Sequence, residues 1–121
     1  MDFTIFEGDV AQTIKSLPDN VIQCTITSPP YFGLRKYSDD HPAEVGNEKT
    51  LEEYVAKLKE IFGELWHKTR DDGTLFLNLG DSYIDNELQG VPWKVAFALA
   101  EVGWVLRSDI IWRKPNAMPS S

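Results

Sequence analysis

The residues best suited to chemistry stand together at Ser28-Pro29-Pro30-Tyr31, directly after the β-branched run Val21 to Thr27. That run reads as a buried strand, and in an open α/β sheet ligands bind in the crevice beyond the carboxyl ends of the strands. The two prolines fix the backbone and free a carbonyl. Ser28 adds a short acceptor and Tyr31 a flat ring. Such a set can accept the hydrogens of an exocyclic amine on a planar ring while Tyr31 stacks on its face. The amine nitrogen would then present its lone pair to an electrophilic methyl group, with neither a covalent intermediate nor a metal. The same tetrapeptide also reads as a plain strand-ending turn with a surface tyrosine, since Ser-Pro-Pro suits loops, and the residues alone leave both readings open.

The elements that must position this loop alternate strand with helix. Phe3 to Phe6 predicts a short strand, Val10 to Leu17 a helix stopped by Pro18, and Val21 to Thr27 the strand that feeds the loop. A polar loop follows, Phe32 to Lys49. Thr50-Leu51-Glu52-Glu53 is a capping box, after which Leu51, Tyr54, Val55, Leu58, Phe62 and Leu65 fall on one helical face. Asp71-Asp72-Gly73 marks the expected end of that helix. Leu75 to Leu79 reads as another buried strand, Pro92 opens a helix that closes at Gly103, and Trp104 to Trp112 reads as a last strand whose direction periodicity leaves open. This order predicts a parallel α/β sheet with helices on its faces. Phe62, Trp66 and Trp93 read as helix-face core.

At 121 residues the chain is expected to be one domain, and 42% apolar and 12% aromatic residues suffice for a core. No apolar run reaches membrane-spanning length, and no basic region followed by an apolar run opens the chain, so a cytoplasmic protein is expected. Cys24 is the single cysteine and the two histidines give no zinc spacing, so no disulfide and no metal are expected. A net charge of −7 and a pI of about 4.7 run against a protein that grips a nucleic-acid duplex by itself. Either a basic recognition part lies elsewhere or this chain does not hold DNA alone.

Thr-Ser-Pro-Pro-Tyr after a hydrophobic strand resembles the catalytic motif of the amino-directed DNA methyltransferases, which act on cytosine N4 or adenine N6. Other segments match the family in order: Glu7-Gly8-Asp9, Leu17-Pro18-Asp19, Phe32-Gly33-Leu34-Arg35, Asn78-Leu79-Gly80-Asp81-Ser82-Tyr83 and Trp112-Arg113-Lys114-Pro115-Asn116. The resemblance covers nearly the whole chain and looks like the permuted class whose catalytic half comes first. It implies a three-layer sandwich, part of the Rossmann-like methyltransferase fold, with residues 1–121 as a single partial catalytic domain. It implies S-adenosylmethionine as methyl donor and a flipped base in double-stranded DNA as acceptor, preferably cytosine, because the serine form of the motif is associated mainly with N4 enzymes. In such a protein the work belongs to restriction-modification.

Under the same resemblance Ser28, Pro29, Pro30 and Tyr31 are the catalytic set, and Asp9 with the backbone of Val10 would meet the adenine of the cofactor. Asp9 also reads as a helix cap paired with Gln12. Arg35, with Lys36, could meet phosphates beside the extruded base, although Asp39, Asp40 and Glu44 make that loop acidic and a solvated loop is the plainer reading. Asp81 and Trp112 are candidate walls of the base pocket, with ordinary turn and core roles as their alternatives.

Two departures qualify the match. The glycines at 8, 33, 46, 63, 73, 80, 90 and 103 never fall two apart, so the glycine-rich cofactor loop is not expected within this chain, nor is the target-recognition region. The connection between Tyr83 and Pro92 is shorter than the family's usual one. A second chain that supplies cofactor and DNA contacts, with this one as a non-catalytic partner, is the rival expectation. Related enzymes that methylate RNA or a protein amide through Asn-Pro-Pro-Tyr fit less well, since their glycine loop precedes the motif. The recognition sequence and the oligomeric state are not legible.

Overall fold

A computed structural model describes residues 2–33, 44–116 and 118. In order come helix α1 (Val10–Thr13), a 3-10 turn (Ile14–Ser16), strand β1 (Ile22–Thr27), helix α2 (Leu51–Lys68), strand β2 (Thr69–Leu77), short strands β3 (Tyr83–Ile84) and β4 (Glu87–Leu88), and helix α3 (Val91–Glu101). β1 and β2 pair in parallel with α2 lying between them in sequence, the βαβ connection that a parallel pair requires.

The core lies on one face of this sheet. Tyr54, Leu58, Phe62 and Leu65 of α2 join Val91, Val95 and Leu99 of α3 and Ile14 of the 3-10 turn, with Leu75 and Leu77 of β2 packed beneath. Each aliphatic side chain buried there contributes roughly 1.5–3 kcal/mol. Trp104 fastens the segment after α3 to α2, its Nε1 donating to the Phe62 carbonyl at 2.9 Å. Gly103 just before it has φ +118°, and a Cβ there would stand 2.6 Å from the Trp66 ring, so both conformation and space require glycine.

Local chemistry explains most element boundaries. Thr50 caps α2, its Oγ1 accepting from the Glu53 N–H at 3.2 Å, while the Glu53 carboxylate accepts from the Lys49 N–H at 3.1 Å, one residue earlier than a strict capping box. α2 ends at Lys68, before the expected Asp71-Asp72-Gly73 stop, because its last carbonyls have distant partners: His67 accepts from the Asn20 N–H at 3.2 Å and Lys68 from the Val21 N–H at 2.9 Å. Asp71-Asp72-Gly73 instead lies within β2, where the register slips from Ile22 opposite Thr69 to Cys24 opposite Thr74. Regular pairing thus resumes at Thr74 and ends at Leu77, short of the expected Leu79. The expected helix Val10 to Leu17 is one α turn followed by a 3-10 turn.

The predicted strands Phe3 to Phe6 and Trp104 to Trp112 form no ladder among the described residues. A strand exists only through a neighbour, and both segments leave large apolar side chains exposed, Ile5, Ile110 and Ile111 among them. The sheet face opposite the helices is also uncovered: Ile26 and Phe76, partners in the ladder, are 80% and 50% exposed. The molecule therefore presents a sheet and one helical layer, a part of the expected three-layer α/β sandwich. No helix among the described residues is long and apolar enough to cross a membrane.

Lys68 is nearly buried at the end of α2 and donates to Asp19 Oδ1 at 2.7 Å. The hydrogen bond and the charge of Lys68 hold the Asp19 carboxyl below its ordinary 3.8. A carboxyl depressed on folding contributes stability above its unfolded value and loses that contribution as pH falls through the folded one. Asp19→Asn should be less stable than the parent at pH 7, and the gap should close progressively below about pH 4; denaturant titrations of both proteins across that range check it.

Candidate functional site

The Ser28 to Tyr31 loop leaves the carboxyl end of β1, where the sheet fold was expected to place chemistry. Ser28 is exposed, and Pro29, Pro30 and Tyr31 are half-buried. Prolines at 29 and 30 carry no N–H, so the loop is gripped through carbonyls and side chains. Tyr54, fully buried on α2, donates its hydroxyl to the Pro30 carbonyl at 2.8 Å. Burial, helped by the nearby Glu48 carboxylate and by Tyr31, pushes the Tyr54 hydroxyl far above the ordinary phenol range, which keeps it a donor at any working pH. The Phe32 ring tilts against Tyr54 at 5.6 Å between centroids.

Two glycines complete the seat. A Cβ on Gly80 would lie 2.7 and 2.8 Å from Tyr31 Cε2 and Cδ2, so the tyrosine ring rests directly on the Gly80 backbone. A Cβ on Gly46 would stand 3.1 Å from both Pro30 Cβ and the Tyr31 carbonyl oxygen, and its φ of +101° also favours glycine. The Gly33 N–H donates to the Gly46 carbonyl at 3.1 Å, and Ser82 Oγ donates to the Phe32 carbonyl at 3.1 Å. Residues from four parts of the chain thereby hold the tetrapeptide and present its upper surface.

Asp81 sits beside this seat with one oxygen engaged. Its Oδ1 accepts from the Ser82 N–H at 2.8 Å and from the Val91 N–H at 2.9 Å, capping α3 in place of Gly90, which has no side chain to do so. The connection from Ser82 to α3 is the β3–β4 hairpin, turned by Asp85 and Asn86 with φ of 50° and 65°, the left-handed pair that a tight two-residue hairpin needs. Asp9 caps α1, its Oδ1 accepting from the Gln12 N–H at 3.3 Å, and its other carboxylate oxygen has no partner among the described residues. Val10 is exposed at the start of that helix. No hydrogen bond or ring contact among the described residues joins Asp9 to the Ser28 to Tyr31 loop. Trp112 is 75% exposed, neither core nor in contact with the tetrapeptide through any described ring pair. Arg35 and its neighbours Lys36, Asp39, Asp40 and His41 lie outside the described residues. Among those described, no cluster of three metal-ligating side chains occurs.

Sequence reasoning placed Tyr54 on a core face and Gly80 in a turn, and it passed over Gly46. The roles of all three depend on contacts 13 or more positions away, and only the glycine before Asp81 carries a local hint.

A model of the DNA methylase family matches residues 22–121. The type II methyltransferase M.XycI of Xanthomonas campestris pv. cyanopsidis is 39% identical over 147 residues, covering 98% of this chain and 48% of the relative. The chain thus spans about half the length of that relative, and the 147-position match exceeds the 121 residues here, so M.XycI carries residues inside the matched span that this chain lacks. M.MwoI of Methanothermobacter wolfeii is 44% identical over 121 residues, covering 97% of this chain and 18% of the relative. Among solved structures, the cytosine-N4-specific PvuII DNA methyltransferase superposes with a TM-score of 0.58 at 21% identity, over 78% of this chain and 32% of that one, a likeness of fold.

Gly80→Ala should force the Tyr31 ring from its seat and destabilise the protein by about 1–3 kcal/mol. Because the clash has a single partner, Tyr31→Ala in the same chain should recover most of that loss; thermal denaturation of both single variants and the double variant measures the coupling.

Proposed function

This chain belongs to the DNA methylase family, and on that premise we propose that it supplies the base pocket for methyl transfer to the exocyclic amine of a flipped DNA base, preferably cytosine N4. The observation that carries the reading is the seat itself. Ser28, exposed just beyond β1, and the Pro29 carbonyl, to which no described residue donates, are the acceptors left to a ligand, while the only other proline carbonyl of the loop is occupied by Tyr54. The amine hydrogens go to those two acceptors, and the base ring stacks on Tyr31, whose plane is set by Gly80. The nitrogen lone pair is then directed away from the base plane. S-adenosylmethionine, when bound, supplies an electrophilic methyl group. Transfer to the nitrogen would break the donor's sulfur–carbon bond, and the amine would release one proton to solvent, to which Ser28 is exposed. A preference for cytosine rests on the serine form of the motif and agrees with the fold likeness to a cytosine-N4-specific enzyme.

The described residues fit one end of the donor only. The uncommitted oxygen of Asp9 suits an adenine amine, and the backbone of Val10 lies beside it. The sequence has no two glycines two apart to form the turn that would approach the methionine portion, and no carboxylate among the described residues is assigned to the ribose. The uncovered sheet face at Ile26 and Phe76 favours a second reading of the same activity, in which a complementary polypeptide brings that turn and the DNA-gripping cations.

Two measurements test these readings. In an active preparation, Tyr31→Ala should lose methylation of target DNA by about tenfold or more, the expected cost of removing a base-stacking ring; full activity would contradict the stacking role. The 121-residue chain alone should show no binding of S-adenosylmethionine at micromolar concentration in calorimetric titration, since two or three missing hydrogen bonds cost about 1–3 kcal/mol each. Micromolar affinity without a partner would show that the cofactor site is complete here.

A further inference from the structure

We propose that Tyr54 is the positioning residue that decides which proline carbonyl of the loop receives the amine. The inference rests on the base-pocket reading above and adds a residue to it. Successive prolines leave the backbone at 29 and 30 with acceptors and no donors. A loop so built has two interchangeable carbonyls at its tip, and an incoming amine could hydrogen-bond to either. Of the two, the Pro29 carbonyl is the one next to Ser28 in the chain.

Tyr54 removes the ambiguity. Its ring is fully buried among α2 and α3 side chains, so its hydroxyl has a fixed location and must find an acceptor there. That acceptor is the Pro30 carbonyl at 2.8 Å. The bond reaches across 24 positions and draws the Pro30 carbonyl inward, toward the core. No described residue donates to the Pro29 carbonyl, which is left for a ligand. Gly46 lies close on another side of the loop, where an added Cβ would stand 3.1 Å from both Pro30 Cβ and the Tyr31 carbonyl oxygen.

Tyr54→Phe tests this, because it keeps the ring, its burial and its contact with Phe32 while deleting the donor. In active enzyme the variant should lose about ten- to hundredfold in kcat, the scale of a misplaced reacting group. Affinity for duplex carrying an abasic site at the target position, which has no amine to place, should stay within twofold of the parent. An unchanged kcat beside an active parent would overturn the role of Tyr54 and leave the proposed function standing. A parallel loss of kcat and abasic-duplex affinity would also overturn it, since that is what a general loosening produces. A parent preparation that binds both methyl donor and DNA yet methylates no amine base would sink the function and this proposal together. A second readout needs no activity: the Tyr31 amide reports the Pro30 carbonyl carbon in a three-dimensional HNCO spectrum. The carbon resonance should move upfield in Tyr54→Phe, toward a carbonyl without a donor, and an unmoved resonance would overturn the proposal.

Discussion

A pair of consecutive prolines is the constraint around which this molecule is arranged. Prolines at 29 and 30 stiffen the backbone where a ligand must be met, and they also remove the donors by which a loop normally secures itself. The surrounding fold provides what the loop lacks. A buried phenol reaches up from α2, a glycine on each side admits close packing, and Ser82 holds the following carbonyl. The loop is therefore only as well placed as the helix beneath it, and α2 is placed by the apolar face it shares with α3.

This dependence couples remote parts of the chain. Asp81, one residue after the glycine that bears the Tyr31 ring, also caps α3, so the register of that helix and the floor of the pocket share one carboxylate. At the opposite end of α2, the backbone of Asn20 and Val21 closes the helix just before β1 begins. The strand that leads to the loop and the helix that supports it are thus tied at both ends, through backbone at one and Tyr54 at the other.

The sequence was informative wherever structure is made locally. The Thr50 cap, the apolar face of α2, the proline start of α3 and the strand before the tetrapeptide all follow from side chains within a few positions of one another. The tetrapeptide stood out for the same reason. What escaped was decided at a distance. Phe3 to Phe6 and Trp104 to Trp112 have strand-like residues, yet no neighbour pairs with them among the described residues. The end of α2 was misplaced because Asn20 and Val21, and not the Asp71-Asp72-Gly73 signal, take its last carbonyls. Tyr54 looked like any core aromatic, since nothing in its own neighbourhood shows where its hydroxyl points.

The uncovered ladder of Ile26 and Phe76 has a consequence for the chain in dilute solution. Two parallel strands with open edges and an apolar face form a template on which other copies can stack. Against this stands the acidic balance of the same chain, −7 overall. Like-charged copies repel one another over a range that salt sets, about 8 Å at physiological ionic strength. The surplus of carboxylates that makes this chain a poor companion for a phosphate backbone is, for one copy meeting another, a colloidal safeguard.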